Sequence, residues 1–185
     1  MNLELLKEIN IIQNKKLVVW LNIWSIIIFV LLIALGLFIL PAATIAIHII
    51  PMLLFLLAMF VMFCFHELIH GMFFKMFAPG SKVKYGIKSG MFYAANPGVT
   101  YSKLPFVVII LMPFFIISCL LVMLSLFPIN LHALYVLFAI HTAGCVGDFY
   151  YIGVLNNRSL FREQLVVEDT DTGIKIYRNG TTLEQ

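Results

Sequence analysis

Charge is what this sequence has least of. Only 11% of its 185 residues are Asp, Glu, Lys or Arg, while 62% are hydrophobic and the mean hydropathy is +1.03. A soluble domain carries about 25% charged residues, so this scarcity excludes an ordinary water-soluble fold and predicts an integral membrane protein. Acids are scarcer still, nine against twelve basic residues, for a net charge of +3. The small basic excess gathers near the ends of apolar runs, which predicts membrane orientation and no nucleic-acid partner. Cysteines number three, Cys64, Cys119 and Cys145, all in apolar runs. An odd, buried set excludes a disulfide framework and reads as small packed hydrophobes. The first apolar run, 17–40, is about twice as long as a secretory h-region and lacks a small-x-small cleavage site, so it is expected to be retained as an anchor.

What is abundant is long apolar sequence. Four runs, 17–40, 51–77, 105–127 and 131–155, each suffice to cross a hydrocarbon core of about 30 Å. The connections 41–50 and 128–130 contain no Lys or Arg. The amino-terminal arm holds Lys7, Lys15 and Lys16, the middle connection Lys82, Lys84, Lys88 and Lys103, and the tail Arg158, Arg162, Lys175 and Arg178. The positive-inside rule therefore predicts a multi-pass protein of the cell membrane with both termini and the middle connection cytoplasmic, as an even number of spans also requires. Leu3, Leu6 and Ile9, with charges between them, suggest a short helix lying on the inner surface. Residues 83–87 and 91–94 flank Lys88-Ser89-Gly90 as a β-hairpin, and 164–167 with 174–177 suggest a second small strand pair in a tail too short for its own core. The expected fold is an all-α membrane protein: four transmembrane helices in residues 1–155, a small cytoplasmic hairpin between the second and third, and a polar cytoplasmic tail, 156–185.

Within the second run lies His66-Glu67-Leu68-Ile69-His70. On a helix the two histidines are one turn apart on one face, so both imidazoles can hold a zinc ion, with Glu67 beside it as general base for an activated water. Of the nine acids, only Glu67 and Asp148 fall inside the expected spans, where an unpaired carboxylate costs several kcal/mol. Counted from the outer span ends at 1.5 Å per residue, His66 and His70 lie roughly 22 to 28 Å deep and Asp148 roughly 26 Å. This shared depth makes Asp148 the candidate third ligand, with the small residues 143–147 allowing close helix approach. The plainer alternatives are a polar cluster joining helices, and Asp148 as a structural acid near the inner interface. His141 and Asn96 are weaker candidates for substrate or oxyanion contacts. Cys145, one turn from Asp148, is a possible softer ligand, though a packed thiol is simpler.

With HELIH and a distant intramembrane Asp, the sequence resembles the site-2 protease group of intramembrane zinc metallopeptidases. It is more closely similar to a small bacterial membrane family of zincin peptidases, over residues 15–155. The resemblance implies zinc held by His66, His70 and Asp148, catalysis by Glu67, and cleavage of membrane-associated protein or peptide substrates near the cytoplasmic side, within membrane lipid. It departs from site-2 proteases in lacking their Asn, Pro and Leu-Asp-Gly pattern around residues 141–149, which leaves substrate positioning there open. A non-catalytic scaffold or immunity-type protein with a structural metal site is the competing expectation. A metal transporter fits less well, since one ligand cluster shows no second site along a path.

Overall fold

The computed structural model describes residues 3–11, 13–42, 48–88, 91–156 and 165–179. The apolar runs are helical, because a backbone in an apolar setting must satisfy its own hydrogen bonds. They form α1 (Lys15–Ile39), α2 (Ile49–Phe77), α3 (Lys103–Leu124), α4 (Leu131–Gly144) and α5 (Val146–Leu155). Asn14 caps α1 by accepting from the Leu17 N–H, and Asn130 caps α4 by accepting from that of Ala133. Helices α1, α2 and α3 are long and apolar enough to cross a membrane. Their outward faces are strongly apolar, with Ile26, Leu31, Leu37 and Phe38 all well exposed. Such a belt suits lipid and not water.

The all-α, four-helix expectation is overturned on two counts. First, the fourth apolar run is two helices: α4 stops at Gly144, and α5 leaves it at a bend of 42°. Only the bent pair together would qualify as a span. Hydropathy sees composition and not direction, so it ran across the break at Cys145. Second, among the described residues six strands form two antiparallel sheets. β2 (Lys84–Lys88) pairs with β3 (Met91–Ala95), matching the expected hairpin, whose turn residues Ser89 and Gly90 lie outside the described residues. β1 (Leu3–Asn10), β4 (Thr100–Ser102), β5 (Leu165–Thr170) and β6 (Gly173–Asn179) form a sheet of order β1-β6-β5-β4.

The arm expected as a surface helix is therefore the strand β1. Its apolar residues fall every third position, but a register shift between Leu5 and Lys7 accommodates that spacing in a strand. β5 and β6 correspond to the second expected strand pair, joined at Asp171 and Thr172; Gln164, Arg158 and Arg162 lie outside the described residues. Gly173 lies so close to the Ile9 carbonyl that a Cβ there would overlap it, which fixes how tightly β1 seats on β6. The sheet shares one core with the helices: Val167, Ile174 and Ile176 are fully buried in the cluster that contains Phe106, Ile109 and Leu155.

Candidate metal centre

Two turns of α2 and the first turn of α5 supply the polar heart of the molecule. His66 and His70 are four residues apart and both buried; Asp148 stands in the first turn of α5, just past the bend. The bend aims α5 so that Asp148 reaches α2. The two Nε2 atoms are 3.1 Å apart, and Asp148 sets one oxygen 3.3 Å from His66 Nε2 and the other 3.6 Å from His70 Nε2.

The outer ring nitrogens explain why both Nε2 atoms face inward. His70 Nδ1 lies 3.0 Å from the Ile109 carbonyl, which can only accept, so this nitrogen carries the proton and Nε2 carries the lone pair. His66 Nδ1 lies 3.1 Å from His141 Nε2, and donation to it leaves the His66 Nε2 lone pair inward as well. With these tautomers two lone pairs and a carboxylate face one another at hydrogen-bond spacing. A cation resolves that arrangement. Zinc bonds of about 2.0–2.1 Å give tetrahedral edges of about 3.3–3.4 Å, close to the three spacings seen, so the donor set fits zinc. The outer hydrogen bonds supply the orientation that metal-ligating histidines ordinarily receive from a second set of groups.

Beside the donor set is a cavity of about 480 Å³, walled by α2, the bend, β3 and the β5–β6 turn. His66, Glu67, His70, Asp148, Ala94 and Asp169 are among its lining residues. Glu67, half-buried, faces the backbone of Ala94 on β3. Lys84 of β2 meets Asp171 of the β5–β6 turn, itself a cavity-lining residue, at 3.1 Å. Tyr85 of β2 lays its ring end over Gly71 of α2, where a Cβ would overlap the phenol hydroxyl and push the ring aside.

His141 and Asn96 are not in the cavity wall. His141 is fully buried behind His66, its ring stacked on Phe114. Asn96 is buried and bridges Ser81 and Tyr101 through Nδ2, while its backbone N–H donates to Asp169 at 2.7 Å. Sequence reasoning missed Asp169, which reads as one of several acids in a polar tail. Its only sequence signal is alternation in β5, which turns Leu165, Val167 and Asp169 to one face. Burial pushes its carboxyl up to about 7, opposed by the Asn96 N–H and His70 and reinforced by Asp171 and Glu168.

The family described as "Putative zincin peptidase" matches residues 59–158, more than half of the chain and the whole of the donor set. The chain belongs to this family. Membership in the zincin peptidases implies zinc and points to metallopeptidase activity. No curated protein and no solved structure matches the chain.

Proposed function

We propose that this zincin peptidase is a membrane-embedded zinc endopeptidase, similar to site-2 proteases, that cleaves membrane-associated polypeptides near the cytoplasmic face. The observation that carries the reading is the convergence of three candidate ligand atoms, from His66, His70 and Asp148, at the wall of a cavity that also holds Glu67. Zinc, when bound there, supplies Lewis acidity that polarises a carbonyl and makes water nucleophilic near neutral pH. Glu67 takes a proton from the attacking water and returns it to the leaving amine. His141 and the Ile109 carbonyl hold the two imidazoles in the inward-facing tautomer, and the Asp148 carboxylate balances part of the cation's charge.

A helical peptide bond is closed to attack, so a substrate has to be extended at the site. β3 favours that, since its pairing among the described residues is with β2 alone and Ala94 and Ala95 line the cavity. An extended segment added along β3 would gain backbone hydrogen bonds and pass beside Glu67. Lysines in and around the connection that carries the hairpin, at Lys82, Lys84, Lys88 and Lys103, favour a cytoplasmic position for it.

The test is metal content with cleavage. Purified wild type is expected to hold one zinc per chain. Glu67→Gln is expected to keep the zinc and lose about 10²-fold or more in cleavage of membrane peptides. Full activity in Glu67→Gln sinks the general-base role. A cellular phenotype that survives Glu67→Gln but not His66→Ala favours the non-catalytic scaffold instead.

A further inference from the structure

A neutral imidazole has one lone pair to give, and His66 has donor groups on both sides. Beyond its Nδ1 lie His141 Nε2 at 3.1 Å and Cys145 Sγ at 4.0 Å, and these two are 3.7 Å apart. All three residues are buried, His141 and Cys145 completely. A tetrahedral centre with metal–nitrogen bonds of about 2.0–2.1 Å and a metal–sulfur bond of about 2.3 Å has edges of about 3.3 Å between nitrogens and about 3.6 Å from nitrogen to sulfur. The observed triangle is within about half an ångström of that on every side. Among the described residues, the hydrogen-bond partners of the Cys145 sulfur are these two imidazole nitrogens. The bend between α4 and α5 is what turns the thiol inward, because Cys145 is the residue at the break.

We propose that His66 Nδ1, His141 Nε2 and Cys145 Sγ form a second cation site, selective for a soft, thiophilic ion, whose filling competes with the first site for His66. The sulfur supplies the selectivity, since thiolate favours soft cations over hard ones. The exchange balances without moving the ring. The incoming cation displaces the Cys145 thiol proton to solvent, and the His66 proton passes from Nδ1 to Nε2. There it can donate to the Asp148 oxygen 3.3 Å away. His141 keeps its proton on Nδ1 throughout. With Nε2 protonated, the first site is left with His70 and Asp148 alone. Gly144 and Val146, on either side of Cys145, line the cavity, so the site lies directly behind its wall. The competition rests on the zinc reading of the first site; the second site does not.

Cadmium is a suitable probe, because thiolate-to-cadmium charge transfer absorbs in the ultraviolet. Full-length zinc-loaded protein in detergent, titrated with Cd²⁺, is expected to develop that absorption to one equivalent while releasing its zinc. Cys145→Ser is expected to abolish the absorption and to hold its zinc at the same cadmium concentration. Cys64→Ser and Cys119→Ser are expected to behave as wild type. His70→Ala is expected to lose zinc but keep the absorption, which separates failure of the zinc reading from failure of this one. Cadmium X-ray absorption on the wild type needs no variant and is expected to count one sulfur and two nitrogens. Absorption that is missing from the wild type or survives in Cys145→Ser overturns the site, and zinc fully retained at cadmium saturation overturns the competition.

Discussion

Asp169 illustrates how much a single side chain depends on what is folded against it. Its carboxyl is raised from an ordinary value of 3.8 to about 7, chiefly by burial. A folded pKa above the unfolded one means that the neutral form favours folding. That stability is complete below about pH 4 and is lost as pH rises through 7, at up to about 1.4 kcal/mol per pH unit within the window. Asp169→Asn keeps an acceptor for the Asn96 N–H and removes the titration. The melting temperature of the variant in detergent is expected to be flatter between pH 4 and 7 than that of wild type, and equal slopes would show that Asp169 is not the titrating group. The same dependence on surroundings separates the sequence candidates. His66, His70 and Asp148 are brought together, whereas Asn96 and His141 lie behind the cavity wall. Periodicity places a side chain on a helix face, but not the depth of the layer between it and a cavity.

At the scale of elements, the hairpin and its seat on α2 matter most. Gly71 and Tyr85 form a lock: the glycine is open only to the extent that the tyrosine fills it. Gly71→Ala is expected to swing the Tyr85 ring off α2 and to cut cleavage by about 10-fold or less while leaving zinc content unchanged, since the exposed ring end can move without the strand. Cleavage assays paired with metal analysis check this, and loss of zinc together with activity would instead place the damage in α2 itself. Lys84→Ala is expected to be mild, because an exposed ion pair contributes about 0–1 kcal/mol. Both hairpins were legible in the sequence, since β-branched and aromatic runs around turn residues are local signals. The break at Cys145 was not legible. Residues 143–147 read equally well as a close-packed stretch of one helix, whereas the bent pair packs chiefly on α1 and α3.

For the whole molecule, the decisive feature is that the two ends of the chain share one sheet. β1 pairs with β6, and β5 pairs with β4 immediately ahead of α3. Ending the chain at Asn156 would remove β5 and β6, strip partners from β1 and β4, and uncover Phe106, Ile109 and Leu155. At about 25 cal/mol per Å² of apolar surface, the loss of Leu165, Val167, Ile174 and Ile176 is on the order of several kcal/mol, comparable with a whole domain's stability. The shortened chain is expected to be degraded in cells and to aggregate in detergent, as read by expression and size-exclusion chromatography; a well-behaved, zinc-loaded protein would show the sheet to be dispensable.

The sequence by itself determined the long apolar helices and the face on which the candidate ligands of α2 stand. Scarce charge and long apolar runs call for lipid, and His66, Glu67 and His70 hold their relative places through helix geometry alone, needing no other element. Tertiary structure decided everything that depends on residues far apart in the chain. Strand pairing of residues 3–10 with 173–179 has no local signature, because a register between distant segments is set by shared burial. The position of Asp148 against α2 likewise follows from a bend that no nearest-neighbour pattern encodes.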